Sequence, residues 1–159
     1  MTESYLDMME ESLNQKVEVL EGIVRENEIQ KKILEDEEHF DGDGFSATIS
    51  RKGELIGRIE TLNDGFETLY ERVKEELDGN KDKYRDKIAR FQELIRQITD
   101  LSNSIEACER RNQELAKYYF QTSKSQINQN RKSSQAALDY YLTMNKSKIT
   151  PPQFYDSKN

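Results

Sequence analysis

The chain has 159 residues, of which 34% are hydrophobic and 35% charged, and its net charge is −7. A compact globule of this size is closer to half apolar, so the composition excludes a sphere with a large core and points to one elongated domain. Residues 1–120 carry 18 Lys+Arg against 29 Asp+Glu (−11), and residues 121–159 carry 6 against 2 (+4). An acidic body lacks the cationic patch that phosphate binding needs, which excludes nucleic acid as a partner.

The first predicted element runs over residues 4–36. Leu6, Met9, Leu13, Val17, Leu20, Val24, Asn27 and Leu34 recur at helical spacing, with Ile23 and Ile33 widening the stripe. Asn27 interrupts that apolar seam, where a polar residue commonly fixes helix register. Before this helix no apolar run resembles a secretory leader, and none in the chain approaches the roughly 20 residues that span a bilayer. A cytoplasmic protein without membrane insertion is the expectation.

Residues 35–44, Glu-Asp-Glu-Glu-His-Phe-Asp-Gly-Asp-Gly, form the clearest break. An EF-hand register through Asp41 and Asp43 puts His39 at the first position and Ser50 at the last. The terminal bidentate Glu is missing, so the segment reads as a solvated turn and no metal site is expected. A second helix follows over 45–78, with a stripe of Phe45, Ile49, Lys52, Ile56, Ile59, Leu62, Phe66, Leu69, Val73 and Leu77. Gly53, Gly57 and Gly65 suggest that this helix bends or lets a neighbour approach closely. Asp78-Gly79-Asn80 then suits a left-handed C-cap at Gly79, followed by a cap at Asn80 for the next helix.

The third helix is predicted over 81–118 or beyond, with a stripe of Tyr84, Ile88, Phe91, Ile95, Ile98, Leu101, Ile105, Cys108 and Leu115. Short connections make neighbouring long helices antiparallel. The fold class is therefore all-α, an elongated antiparallel bundle: a helical hairpin plus a long third helix with a C-terminal extension. Cys108, alone in the chain, forms neither an intramolecular disulfide nor a zinc site and reads as a small hydrophobe on the stripe.

At the end of the third helix stand Tyr118, Tyr119 and Phe120. Adjacent helical residues point about 100° apart, so they cannot all face one core. They either cap the bundle end or begin a groove for an amphipathic partner helix. Beyond them lies a polar segment with Ile127 and then Leu138, Tyr140, Tyr141 and Met144 at sparse helical spacing. Such a segment orders only against a partner surface. The division is thus a bundle over 1–120 and a polar tail over 121–159. No nucleophile setting, oxyanion hole or phosphate-binding glycine pattern accompanies these features. The chain reads as a non-enzyme without catalytic residues or cofactor.

The stretch from Lys52 to Phe66 (KGELIGRIETLNDGF), continued by Tyr70 to Leu77 (YERVKEEL), resembles the second helix of the FlgN-type flagellar export chaperones. Asn112-Gln113-Glu114-Leu115 is similar to the family's short Asn-containing motif late in its third helix. Tyr140-Tyr141 with Met144 looks like its C-terminal tyrosine-bearing segment. The resemblance implies a cytoplasmic chaperone that binds the C-terminal helix of hook–filament junction proteins and delivers them to a component of the type III export gate. Partner contact is expected from Asn112, Leu115, Tyr118, Tyr119, Phe120, Ile127, Leu138, Tyr140 and Tyr141, with Tyr140 or Tyr141 touching the gate. The alternative from the stripe itself is a structural coiled-coil protein that self-associates, which leaves a homodimer open.

Overall fold

The computed structural model describes residues 2–122. Three helices occupy nearly all of it: α1 (Thr2–Glu35), α2 (Gly42–Gly79) and α3 (Arg85–Thr122). At 34, 38 and 38 residues and about 1.5 Å per residue, each is 50 Å or more in length. Tyr5 meets Arg72 at one end of the α1–α2 pair and Gln30 meets Thr48 at the other, so these helices are antiparallel. Asp7 opposite Lys87 and Gln30 opposite Asn112 set α3 parallel to α1, the arrangement of an up-down-up bundle. The all-α bundle follows the sequence expectation.

The seam of each helix is more regular than its apolar residues alone suggest. On α1 it is Leu6, Met9, Leu13, Lys16, Leu20, Ile23, Asn27, Gln30 and Leu34, alternating steps of three and four, and all nine are buried. The α2 seam runs from Phe45 through Ile49, Lys52, Ile56, Ile59, Asn63, Phe66, Tyr70 and Val73 to Leu77 in the same alternation. On α3 it continues from Ile88 through Ser102, Glu109, Asn112 and Ala116 to Tyr119. A repeat of 3.5 residues keeps one face toward its partners along the whole helix, as in a coiled coil.

Three local expectations are corrected. Asp41 is the N-cap of α2, its Oδ1 accepting the Gly44 amide at 2.9 Å, so the helix starts three residues before Phe45. That side chain fills the space beside Gly44, where a Cβ would lie 2.2 Å from Asp41 Oδ2. Gly79 is the last residue of α2 rather than a left-handed cap. Asn80 closes α2, its backbone N–H bonding the Leu77 carbonyl, and a turn then leads to α3 at Arg85. Nor do Gly57 and Gly65 admit a neighbour, since a Cβ at either would meet nothing within 4 Å. A neighbour does lie against Gly22 of α1, whose Cβ position is 3.4 Å from the Leu55 side chain.

The buried apolar residues form two clusters. The larger runs from Leu6 and Val73 at the α2–α3 turn end to Ile23, Ile59 and Ile105. The smaller, at the α1–α2 connection, consists of Leu34, Phe45, Ile49 and Ala116, with Ile33, Phe40, Leu115 and Phe120 packed against it. Between the two, the core is polar.

Candidate functional site

Two successive seam positions on α1 (Asn27, Gln30), one on α2 (Lys52) and two on α3 (Glu109, Asn112) bring polar side chains together in the dividing layer. Lys52 sits on the inner face of α2, wholly buried, and its ammonium carries three protons. Its Nζ lies 2.8 Å from Asn27 Oδ1 and 3.3 Å from Gln30 Oε1 on α1, and 2.8 and 3.1 Å from the Glu109 carboxylate oxygens on α3. Burial pushes the Lys52 ammonium below the ordinary lysine range, and Glu109 opposes that shift. Asn112 donates from Nδ2 to the Asn27 main-chain carbonyl and to Gln30 Oε1, both at 3.0 Å. The Gln30 amide donates to Thr48 Oγ1, and that hydroxyl donates to the Phe45 carbonyl. Among the described residues one buried side-chain polar atom has no partner, Asn27 Nδ2.

Above this layer the bundle closes with aromatic rings. Phe40, in the α1–α2 connection, stacks on Tyr119 with centroids 4.0 Å apart. Phe120 stands edge-on to Phe40, Phe45 and Tyr119. Tyr119 is buried and Phe120 half-buried, whereas Tyr118 points outward with 58% of its surface exposed. The cluster expected to cap the bundle or begin a groove thus divides: Tyr119 and Phe120 cap, and Tyr118 is free for contact.

The other named residues fall as follows. Asn112 is wholly buried in the polar layer, and Leu115 is half-buried against the end cluster. Ile127, Leu138, Tyr140 and Tyr141 lie outside the described residues, as does the tail beyond Thr122. Cys108 is a half-buried free thiol. Gln30 and Glu109 escaped the sequence reading because it followed apolar residues. The available signal was the unbroken three-four step, which passes through them.

A second buried lysine lies lower on α1. Lys16 Nζ is 2.7 Å from Asn63 Oδ1, and burial lowers its pKa to about 8. Among the described residues no three His, Cys, Asp or Glu side chains form a group that could hold a metal ion. No described helix is long and apolar enough to cross a membrane.

These features define a three-helix bundle of coiled-coil type, with a polar layer inside it and an aromatic cap on one end. No protein-family model, curated protein or solved structure matches the chain.

Proposed function

We propose that the protein binds an amphipathic helix of a partner and performs no catalysis, acting in the cytoplasm as an export chaperone. The observation that carries this reading is the end of α3. Its last turns seal the bundle with Tyr119 and Phe120 while presenting Tyr118 outward, next to a basic tail that continues the chain. A bundle of this kind is a rigid scaffold, and an exposed aromatic beside a polar segment is a common starting point for helix recognition. The ionisable groups of the core support the same reading, because Lys52 is committed to three side-chain acceptors rather than poised toward a cavity.

The resemblance to FlgN-type chaperones narrows the partner to the C-terminal helix of hook–filament junction proteins and the receiver to a component of the type III export gate. Self-association through the stripe is less well supported, since this fold already covers most positions of each seam within one chain. Co-expression with candidate junction proteins followed by co-purification tests the proposal. A stable complex lost on Tyr118→Ala supports it. Failure of every junction protein to co-purify, together with a concentration-dependent dimer in sedimentation, would favour the self-associating protein.

A further inference from the structure

We propose that the polar layer is a boundary of cooperativity, so that the end of the bundle beyond it opens as a unit while the rest stays folded. Three observations carry this. The apolar core is discontinuous: among the described residues sixteen buried ones lie in one cluster and four in the other, with the Lys52 layer between them. Apolar contact transmits cooperativity through a core, and here it is interrupted across all three helices at one level. The layer also contains the buried polar atom without a partner, Asn27 Nδ2, which loses nothing when the neighbouring side chains separate. Opening moreover returns the Lys52 ammonium and the Glu109 carboxylate to water, offsetting part of the lost contacts.

The unit that opens is the tip of the α1–α2 hairpin together with the last turns of α3. Its release uncovers Phe40, Phe45 and Tyr119, three rings otherwise packed together. This gives regulation to the proposed function and rests on that reading only for its purpose: opening of the tip, rather than of the whole bundle, exposes the aromatic cap to a partner's helix. The opening itself belongs to the chain alone and is measurable without any partner.

Native-state hydrogen exchange on the full chain, over a series of low urea concentrations, tests it. Amides at the tip of α1 and α2 and in the last turns of α3 should share one opening constant and one urea dependence. They should exchange at least about tenfold faster than amides of the larger cluster, with a step at the level of Asn27. Ordinary end fraying would instead give a gradient, like that expected at the opposite end of the bundle. Phe45→Ala should speed exchange at the tip and leave the larger cluster unchanged. A single opening constant for the whole bundle, a smooth gradient through the layer, or a Phe45→Ala effect reaching Phe66 and Phe91 would each overturn the proposal.

Discussion

Lys52 of α2 and Asn27 of α1 meet at 2.8 Å in a layer that separates two apolar clusters, and Glu109 of α3 holds the same ammonium from the other side at 2.8 Å. Each of the three helices therefore supplies at least one member of a hydrogen-bonded group at a single level. Sliding any helix by one heptad would set a charged or amide group against an apolar layer. The layer thus selects one register among several that the repeating seam permits. It need not add stability for that, because a buried ion pair rarely outperforms well-packed apolar residues of the same volume.

Removing one partner should accordingly be much worse than removing the charges together. Glu109→Ala removes the carboxylate bonded to the buried Lys52 ammonium, and taking one partner from a buried ion pair costs about 3 to 5 kcal/mol. Lys52→Met combined with Glu109→Leu should fall within about 1 to 2 kcal/mol of the parent chain, in either direction. Urea titrations with matched slopes measure both. A single substitution as mild as the double one would show that the pair is not electrostatically coupled.

Lys16 gives the chain a distinctive alkaline behaviour. Burial places its pKa at about 8 against the ordinary 10.5. Below pH 8 both folded and unfolded chains carry the proton, and the desolvation cost is fully present. Between pH 8 and 10.5 the unfolded chain binds more protons than the folded one, so this group's contribution to stability rises with pH. At about 1.4 kcal/mol per unit the total is roughly 3 kcal/mol. Lys16→Met should therefore be more stable than the parent at pH 7, with the advantage shrinking as pH approaches 10. An advantage that stays constant over that range would mean that Lys16 remains charged in the fold.

The glycines of α2 offer the converse case, a stability gain without any new contact. Gly57 and Gly65 are exposed within a continuous helix, and a Cβ at either meets nothing within 4 Å. Alanine at each should stabilise by about 0.5 to 1 kcal/mol, chiefly through lost freedom of the unfolded chain. Gly22→Ala should gain at least as much, because its Cβ would add van der Waals contact with Leu55 at 3.4 Å. Thermal melts of the three variants check the ranking.

Helix number, lengths and approximate ends were legible because the apolar residues repeat over more than thirty positions per helix. The seam itself was legible only where it is apolar. Where Lys16, Asn63, Ser102 and Glu109 take seam positions, following apolar side chains slips the face by one residue, onto Val17, Leu62, Leu101 and Cys108. These four are half-buried flanks, so the slip still lands on the right side of the helix but misses the polar layer. Lys52 and Asn27 were visible on their stripes, yet nothing local says that they face each other. Their meeting depends on the length of the α1–α2 connection and the Asp41 cap, both properties of the turn. The division among Tyr118, Tyr119 and Phe120 was hidden for a similar reason: the three-four step that turns Tyr119 inward, onto Phe40, passes through Glu109, Asn112 and Ala116.

That division fixes where the bundle can be cut. From the sequence alone, truncation after Lys117 looks harmless, with little core beyond it. The fold shows otherwise, because the cut removes buried Tyr119 from its stack on Phe40 and Phe120 from its contact with Phe45. Losing a buried aromatic costs about 3 to 5 kcal/mol, which in a domain of this size lowers the melting midpoint by roughly 10 °C or more. Truncation after Thr122 spares both rings and should leave the midpoint nearly unchanged. Comparing the two chains therefore separates scaffold from recognition, which a single cut cannot do. If the tail and Tyr118 carry partner binding, the chain ending at Thr122 should melt like the full protein yet hold its partner at least about tenfold more weakly, a difference of 1.4 kcal/mol. Tyr118→Ala in the full chain should also weaken binding, with a stability change within about 0.5 kcal/mol, as for most exposed sites. Undiminished binding by the chain ending at Thr122 would move recognition onto the outer faces of α1 and α2. A melting loss in that chain as large as in the one ending at Lys117 would instead make the tail part of the core.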